Sequence, residues 1–223
     1  MESVSTGAEA VVYKRDAYIL KVRVQKTYRI PEIDSSIRKS RTRLEQMLLR
    51  RIEHLDISPK VHELGPEEAA ELLEISSSMQ PMYTIKMDCL SGVTLKDALL
   101  AAGKEGQART MELLCKVYAS VGKLHAAGVM HGDLTLNNFI IDGESVKILD
   151  FGLGKLGVKA EDKAVDLYVL EKTILASQNL ALEDLCRVAL PEYEKHTQKG
   201  GIVLDKLKEV RRRGRKRELS AVG

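Results

Sequence analysis

Between His131 and Gly152 the chain reads HGDLTLNNFIIDGESVKILDFG. Three groups in this stretch suit metal and proton chemistry: the carboxylates of Asp133 and Asp150, and the amide of Asn138. Asp133 and Asn138 are close enough in sequence to share one loop. Two apolar runs, Phe139–Ile141 and Val146–Leu149, flank an Asp-Gly-Glu-Ser turn and predict a hairpin of strands. Asp150 emerges where the second strand ends. Phosphoryl transfer needs such a set, because the protein mainly positions groups and neutralises charge. A carboxylate orients the attacking hydroxyl or water, the role that suits Asp133. An amide and a second carboxylate hold magnesium, which suits Asn138 and Asp150. A lysine must also reach the phosphates.

HGDxxxxN, a hairpin and then DFG follow one another in the order of a protein-kinase catalytic loop and its metal-binding segment. A reading of Asp133 and Asp150 as plain turn residues leaves that order unexplained. The phosphate-binding lysine should lie upstream in a strand, and Lys21 in YILKVRV is the candidate. Its acidic partner should lie in the next helix. Glu45 in RTRLEQMLLR is the first carboxylate embedded in that helix's apolar pattern, and Glu53 is the alternative. STGAEAVVY takes the place of the glycine-rich loop, with Thr6, Gly7 and Ala8 offering backbone amides to phosphates and Glu9 directed toward the nucleotide. In KMDCLSG, Met87 would be the gatekeeper. Asp88 and Leu90 would meet adenine through their backbone.

Some kinase features are missing. Position 132 is glycine, where most protein kinases have the arginine that answers a phosphorylated activation loop, so such switching is not expected. Thr135 stands where many have a lysine. No APE motif follows DFG, and the short LGKLGVKAEDKAV leads directly to Asp166, which resembles the kinase aspartate that ties down the catalytic loop. The site is equipped for ATP and magnesium but poorly equipped to hold a peptide.

The elements that must position these residues can be read from periodicity. Short β-rich runs, AVVY and AYILKVRV, fill the first 30 residues, with Gly7 and Asp16 in turns. Asp34 to His54 has a helical pattern with Asp34 or Ser35 as N-cap. ELLEIS and MYTIKMDCL read as a hairpin of strands joined through SSSMQP. Helices are expected over Thr94–Ala102, Ala108–Ala127, Glu161–Ser177 and Leu182–His196, and from Val203 onward. In the second of these, Leu113, Leu114, Val117, Val121 and Leu124 form an apolar stripe, and Gly128 follows its end. The outline is an α+β, trimmed two-lobed kinase-like fold: a β-rich N-lobe over 1–90, a helical C-lobe over 91–210 and a basic tail over 211–223.

Composition agrees with this outline. Hydrophobic residues are 44% and charged residues 30% of the 223, which allows both a core and solubility. No apolar run has the length of a membrane span, and the first residues lack a secretion-signal pattern. Cys89, Cys115 and Cys186 are far apart and read as reduced thiols, not zinc ligands. The net charge is only +3, yet RRRGRKR (211–217) and RKSRTR (38–43) are dense basic clusters. Such clusters are either plain solvated surface or contacts for an anionic partner such as RNA.

GAEA (7–10), ILK (19–21), KTYR (26–29), HGDLTLNN (131–138), DFGL (150–153), EDKAVDLYVLEK (161–172) and RRRGRKR together resemble the p53-related protein kinase family, the small atypical kinases of the KEOPS (EKC) complex. The resemblance runs from Gly7 to Gly223. It implies ATP and magnesium binding, autophosphorylation, serine or threonine phosphorylation, and an ATPase role within KEOPS. It also implies two partners. These are an ASKHA-fold threonylcarbamoyl-transferase subunit on the C-lobe and tail, and a small tRNA-binding subunit on the N-lobe. The complex makes threonylcarbamoyladenosine at position 37 of tRNA, so tRNA itself would be met through the complex. A cytoplasmic location is implied, with a nuclear share left open. Aminoglycoside and choline kinases also use HGDxxxxN, but they need a longer helical acceptor region than follows Asp166 here. A pseudokinase would lack one of Lys21, Asp133, Asn138 or Asp150, and all four are present.

Overall fold

The computed structural model describes residues 2–7, 9–15, 17–75, 79–178, 180–197 and 199–221; the side chains of Glu2, Lys104 and residues 215–221 lie outside that description. Ala8, Asp16 and the serines of SSSMQP are therefore expectations outside the described residues. The chain divides into two compact units. The first holds Met1–His54, Ser58–Ser91 and Asp150–Leu153; the second holds Leu55–Ile57, Gly92–Leu149 and Gly154–Gly223. Leu55–Ile57 thus belongs with the second unit and Asp150–Leu153 with the first.

The first unit contains β1 (Glu2–Thr6), β2 (Val11–Arg15), β3 (Tyr18–Val22), α1 (Pro31–Ile52), β4 (Val61–His62), α2 (Pro66–Ile75) and β5 (Thr84–Asp88). Its sheet has the order β1-β2-β3-β5-β4, with antiparallel neighbours. Alternation along β3 sends Leu20 and Val22 to a buried cluster with Leu72 and Met79, and Lys21 to the other face. Across the sheet Lys21 stands opposite Val12 and Ile85.

Two local expectations are corrected here. ELLEIS does not form a strand: its described residues, 71–75, are the second half of α2. Pro66 opens that helix, Glu67 and Glu68 lie in its first turn, and Leu72 alone is fully buried. Proline at the first helical position, acidic residues in the first turn and alanines at 69 and 70 favour the helix. Nor is α1 capped by Asp34 or Ser35. It starts at Pro31, whose fixed φ suits a first helical position, and Ile30 before it makes no side-chain cap. Asp34 is instead fully buried, bonded to Arg38 Nε at 2.7 Å.

The second unit contains β6 (Val93–Thr94), α3 (Leu95–Glu105), α4 (Gln107–Ala126), β7 (Val129–Met130), β8 (Phe139–Asp142), β9 (Ser145–Ile148), β10 (Lys155–Leu156), α5 (Ala160–Ser177), α6 (Leu182–Asp184), α7 (Leu190–Lys195) and α8 (Gly200–Ala221). The stripe on α4 is buried as its period predicts. The helix expected over Leu182–His196 is interrupted by a π segment, Leu185–Ala189. Pro191 lacks the N–H that would continue the ordinary ladder, which accounts for the break. Residues 211–221 continue α8 without interruption.

α8 is tied to α5 by charge. Arg211 Nε donates to Glu171 Oε2 at 2.9 Å and its Nη2 to Oε1, with Glu171 only 2% exposed. Arg213 pairs with Glu161 at 2.6 Å. Two cations of the basic tail are thus spent within the chain, so deleting the tail would disturb the second unit itself. RKSRTR is divided similarly: Arg38 is buried over the Tyr83 ring, 3.8 Å from its centroid, and Arg41 pairs with Glu9. No helix among the described residues is long and apolar enough to cross a membrane.

Candidate active site

In the first unit, Lys21 is 7% exposed at the end of β3. Its Nζ donates to Glu45 Oε1 at 2.7 Å and to Asp150 Oδ1 at 2.8 Å. Glu45 lies on the buried side of α1 at 0% exposure. Glu53, the alternative partner, is exposed in the turn after α1. The second Glu45 oxygen accepts from Arg23 Nη2 at 2.6 Å. Asp150 adopts φ 58°, an uncommon conformation for a residue with a side chain. Its carboxyl is pulled both ways: burial raises its pKa, but the Lys21 ammonium, Arg23 and the Gly152 N–H outweigh burial and hold it below the ordinary carboxylate value.

The segment in place of a glycine-rich loop follows β1. Thr6 and Gly7 are exposed, and Gly7 N–H donates to Ala10 O at 2.9 Å. Glu9 is gripped by Arg29 at 3.2 Å and Arg41 at 2.9 Å. Burial raises its pKa, and the two arginines more than offset this, leaving it lowered. Met87 is 5% exposed inside β5, and Leu90 is half-buried just beyond it. Asp88 N–H donates to Lys60 O at 3.1 Å, so the carbonyl is the Asp88 backbone atom left to serve adenine. The Asp88 side chain accepts from Lys60 N–H and pairs with His62 Nε2 at 2.7 Å.

In the second unit the HGD loop is held from beneath by Asp166 of α5, which is 1% exposed. Oδ2 accepts from His131 N–H at 2.6 Å and Oδ1 from Gly132 N–H at 2.8 Å. Pointing consecutive amides at one carboxylate needs the backbone turned at Gly132, where φ is 85°. Glycine takes that conformation without a Cβ penalty, so its replacement of arginine here has a conformational basis as well. His131 Nε2 donates to Leu149 O at 2.6 Å, which leaves Nδ1 to accept from Asp133 N–H at 3.2 Å. Beneath this lies a second buried histidine. His125 Nε2 faces Asp166 Oδ2 at 3.2 Å and Nδ1 faces the Tyr193 hydroxyl at 3.0 Å. Burial depresses the His125 pKa more than Asp166 raises it, so the ring is neutral, donating to Asp166 and accepting from Tyr193.

Asn138 closes the loop. Its Nδ2 donates to Asp133 O at 2.8 Å and to Asp133 Oδ2 at 2.9 Å. The amide nitrogen is thereby committed, and Oδ1 is the atom a cation would meet. Asp150 likewise keeps Oδ2 beyond its bonds from Lys21 and Gly152. These are hard oxygen donors of the kind magnesium takes while retaining several waters, so the residues fit that ion. Among the described residues no group of three or more His, Cys, Asp or Glu side chains gathers as a metal cage. Sequence reasoning passed over Arg23, His125, His131 and Tyr193. Arg23 has a readable signal in its position two residues after Lys21, on the same side of the extended chain. The tyrosine has none.

The protein kinase domain family matches residues 4–179 of this chain. The "EKC/KEOPS complex subunit BUD32" of Encephalitozoon cuniculi is 35% identical over 218 residues, 97% of this chain and 97% of that protein. The "Probable bifunctional tRNA threonylcarbamoyladenosine biosynthesis protein" of Methanocaldococcus jannaschii is 33% identical over 218 residues, 95% of this chain and 36% of that protein. The "Crystal structure of monomeric WbdD" superposes with a TM-score of 0.58 at 16% identity, covering 90% of this chain and 44% of that one, a likeness of fold alone.

Proposed function

The chain belongs to the protein kinase family and, within it, to the Bud32 branch; from that premise we propose that it is an ATPase and atypical serine/threonine kinase of the KEOPS complex, supporting threonylcarbamoyladenosine modification of tRNA. The observation that carries the reading is the Lys21 ammonium, 2.7 Å from Glu45 and 2.8 Å from Asp150. Lys21 would turn from Asp150 to phosphate oxygens while Glu45 keeps it in place. Asn138 Oδ1 and Asp150 Oδ2 would hold magnesium, which when bound neutralises charge on the phosphates. Asp133, kept in orientation by Asn138, would accept a hydrogen bond from the attacking hydroxyl or water and receive its proton. Thr6, Gly7 and Ala8 would cover the phosphates. Met87, Asp88 and Leu90 would line the base.

Water or a residue presented by a partner is the acceptor this arrangement favours. Only Gly154–Lys159 connects the Phe151–Leu153 turn to α5, which gives an ordinary peptide little to dock on. The relatives' names do not favour a small-molecule phosphotransferase. The partners are the transferase subunit, through the second unit and α8, and the small tRNA-binding subunit, through the first.

ATP turnover with magnesium tests the proposal, measured for the chain alone and with the transferase subunit, following free phosphate and protein-bound label separately. Phosphate release raised by the partner, with little label transferred, is expected. Label accumulating on protein without free phosphate would overturn the ATPase role, and no turnover in either mixture would overturn the enzyme reading altogether.

A further inference from the structure

Lys21 is not alone with Glu45. Arg23 follows two residues later, 3% exposed, with its backbone N–H bonded to Tyr83 O at 2.9 Å. Its Nη2 lies 2.6 Å from Glu45 Oε2, while Lys21 holds Oε1. A methyl group at Gly152 would collide with that Nη2 and lie 3.3 Å from Cζ, so the guanidinium presses on the turn after Asp150. Arg38 Nη1, from α1, donates to the Arg23 carbonyl at 3.3 Å. Two cations, Lys21 and Arg23, thus face two carboxylates, Glu45 and Asp150, in one connected set.

The two cations have different freedom. Lys21 is shared between Glu45 and Asp150, and both Lys21 and Asp150 have work to do on phosphate and cation. Among the described residues Arg23 pairs with no carboxylate but Glu45, although its charge is also felt by Asp150. When Lys21 turns to phosphate, Glu45, at 0% exposure, would be left with a weakened partner, and an uncompensated buried carboxylate is strongly unfavourable. A guanidinium is permanently charged and stays in place to answer it.

We propose that Arg23 is a positioning residue of the phosphoryl-transfer site: a fixed second cation that holds Glu45, and with it α1, against the Asp150–Leu153 turn, whether or not Lys21 is engaged elsewhere. This rests on the reading of Lys21 and Asp150 given above. It explains how this chain, with Gly132 in place of arginine, keeps the Glu45 helix engaged without a phosphorylated loop.

The test uses the full chain with Arg23→Met, Arg23→Lys, Glu45→Gln and the double variant Arg23→Met/Glu45→Gln, reading kcat and KM for magnesium-ATP turnover beside the folded fraction from circular dichroism. Arg23→Met should lower kcat about tenfold or more with KM for ATP changed less than about threefold. Arg23→Lys should recover part of kcat by restoring the charge. In the Glu45→Gln background, where no charge needs answering, Arg23→Met should cost less than about threefold, a non-additivity that marks direct coupling. Equal losses in both backgrounds, or a kcat loss that only follows the folded fraction, would overturn the proposal.

A wild-type chain without turnover would sink the phosphoryl-transfer reading and leave the positioning role to hydrogen exchange. There, Arg23→Met, or Arg23→Lys if the first does not fold, should speed exchange in residues 41–49 and 151–153 by about tenfold while α4 and α5 are unchanged. Unchanged exchange in those two segments would overturn the positioning role independently.

Discussion

Replacing Asp166 with alanine removes the acceptor of three buried donors at once: His131 N–H at 2.6 Å, Gly132 N–H at 2.8 Å and His125 Nε2 at 3.2 Å. His125 can relieve its own share, since a neutral ring can shift its proton to Nδ1 and donate to the Tyr193 oxygen. The two peptide groups have no such remedy. Each buried donor without a partner costs about 1–3 kcal/mol, so Asp166→Ala should destabilise the second unit by about 2–6 kcal/mol. Asparagine keeps one oxygen. Turned toward His131 and His125 it still accepts from both, leaving one peptide N–H facing an amide donor, and Asp166→Asn should lose only about 1–3 kcal/mol. The chain has no tryptophan, so urea unfolding is best followed by far-ultraviolet circular dichroism, with hydrogen exchange of α4 and α5 to isolate the second unit. ATP turnover by Asp166→Asn should fall even where the variant is fully folded, because Gly132 and Asp133 lose their fixed backbone. An alanine variant within about 1 kcal/mol of wild type, or one no worse than asparagine, would refute the argument that this carboxylate anchors the loop.

Gly92→Ala should destabilise by about 1–3 kcal/mol or more, read from the urea midpoint, because the new Cβ would overlap the Ile141 carbonyl oxygen, lie 2.6 Å from its carbon and meet Ile140 Cγ2 at 2.8 Å. Arg211→Met strands the buried Glu171 and should cost about 3–5 kcal/mol, most of it recovered in Arg211→Met/Glu171→Gln, whereas Arg213→Met, on an exposed pair, should change the midpoint little. His125 carries a pH dependence whose sign follows from its depressed pKa. Below the ordinary value of 6.5 the unfolded chain binds a proton that the folded one resists, so stability is full above that value and falls as pH drops through it toward the folded pKa. Wild type should therefore lose more stability than His125→Gln between about pH 7.5 and pH 5.5; parallel losses would count against it.

Much of the site can be read along the chain because its spacing is local. Asp133 and Asn138 share a loop, Asp150 follows a hairpin whose two strands are apolar, and the α4 stripe repeats with helical period. Where reading failed, the deciding contact was distant. ELLEIS has strand-like residues, yet Leu72 meets Leu20 and Val22 only once β3 is in place, and the helix start at Pro66 lies outside the stretch itself. RKSRTR looks like a solvated basic face, but Arg38 lies over Tyr83 and Arg41 reaches Glu9. The tail looks free, but Arg211 is bound 40 residues back to Glu171.

What the sequence by itself determined is the set of chemical groups and the order in which they come: Lys21, then a helical stretch offering Glu45 or Glu53, then Asp133, Asn138 and Asp150. Those are properties of neighbours and periods, which backbone geometry converts directly into loops, strands and faces. Tertiary structure alone decided which charges answer one another. Glu45 joins Lys21 and Arg23 from 24 and 22 residues away, and Asp166 holds Gly132 from 34. Lys and Arg look alike along a chain, and burial separates them: a cation removed from water must take a carboxylate within about 3 Å, and only the packed fold determines which one is there.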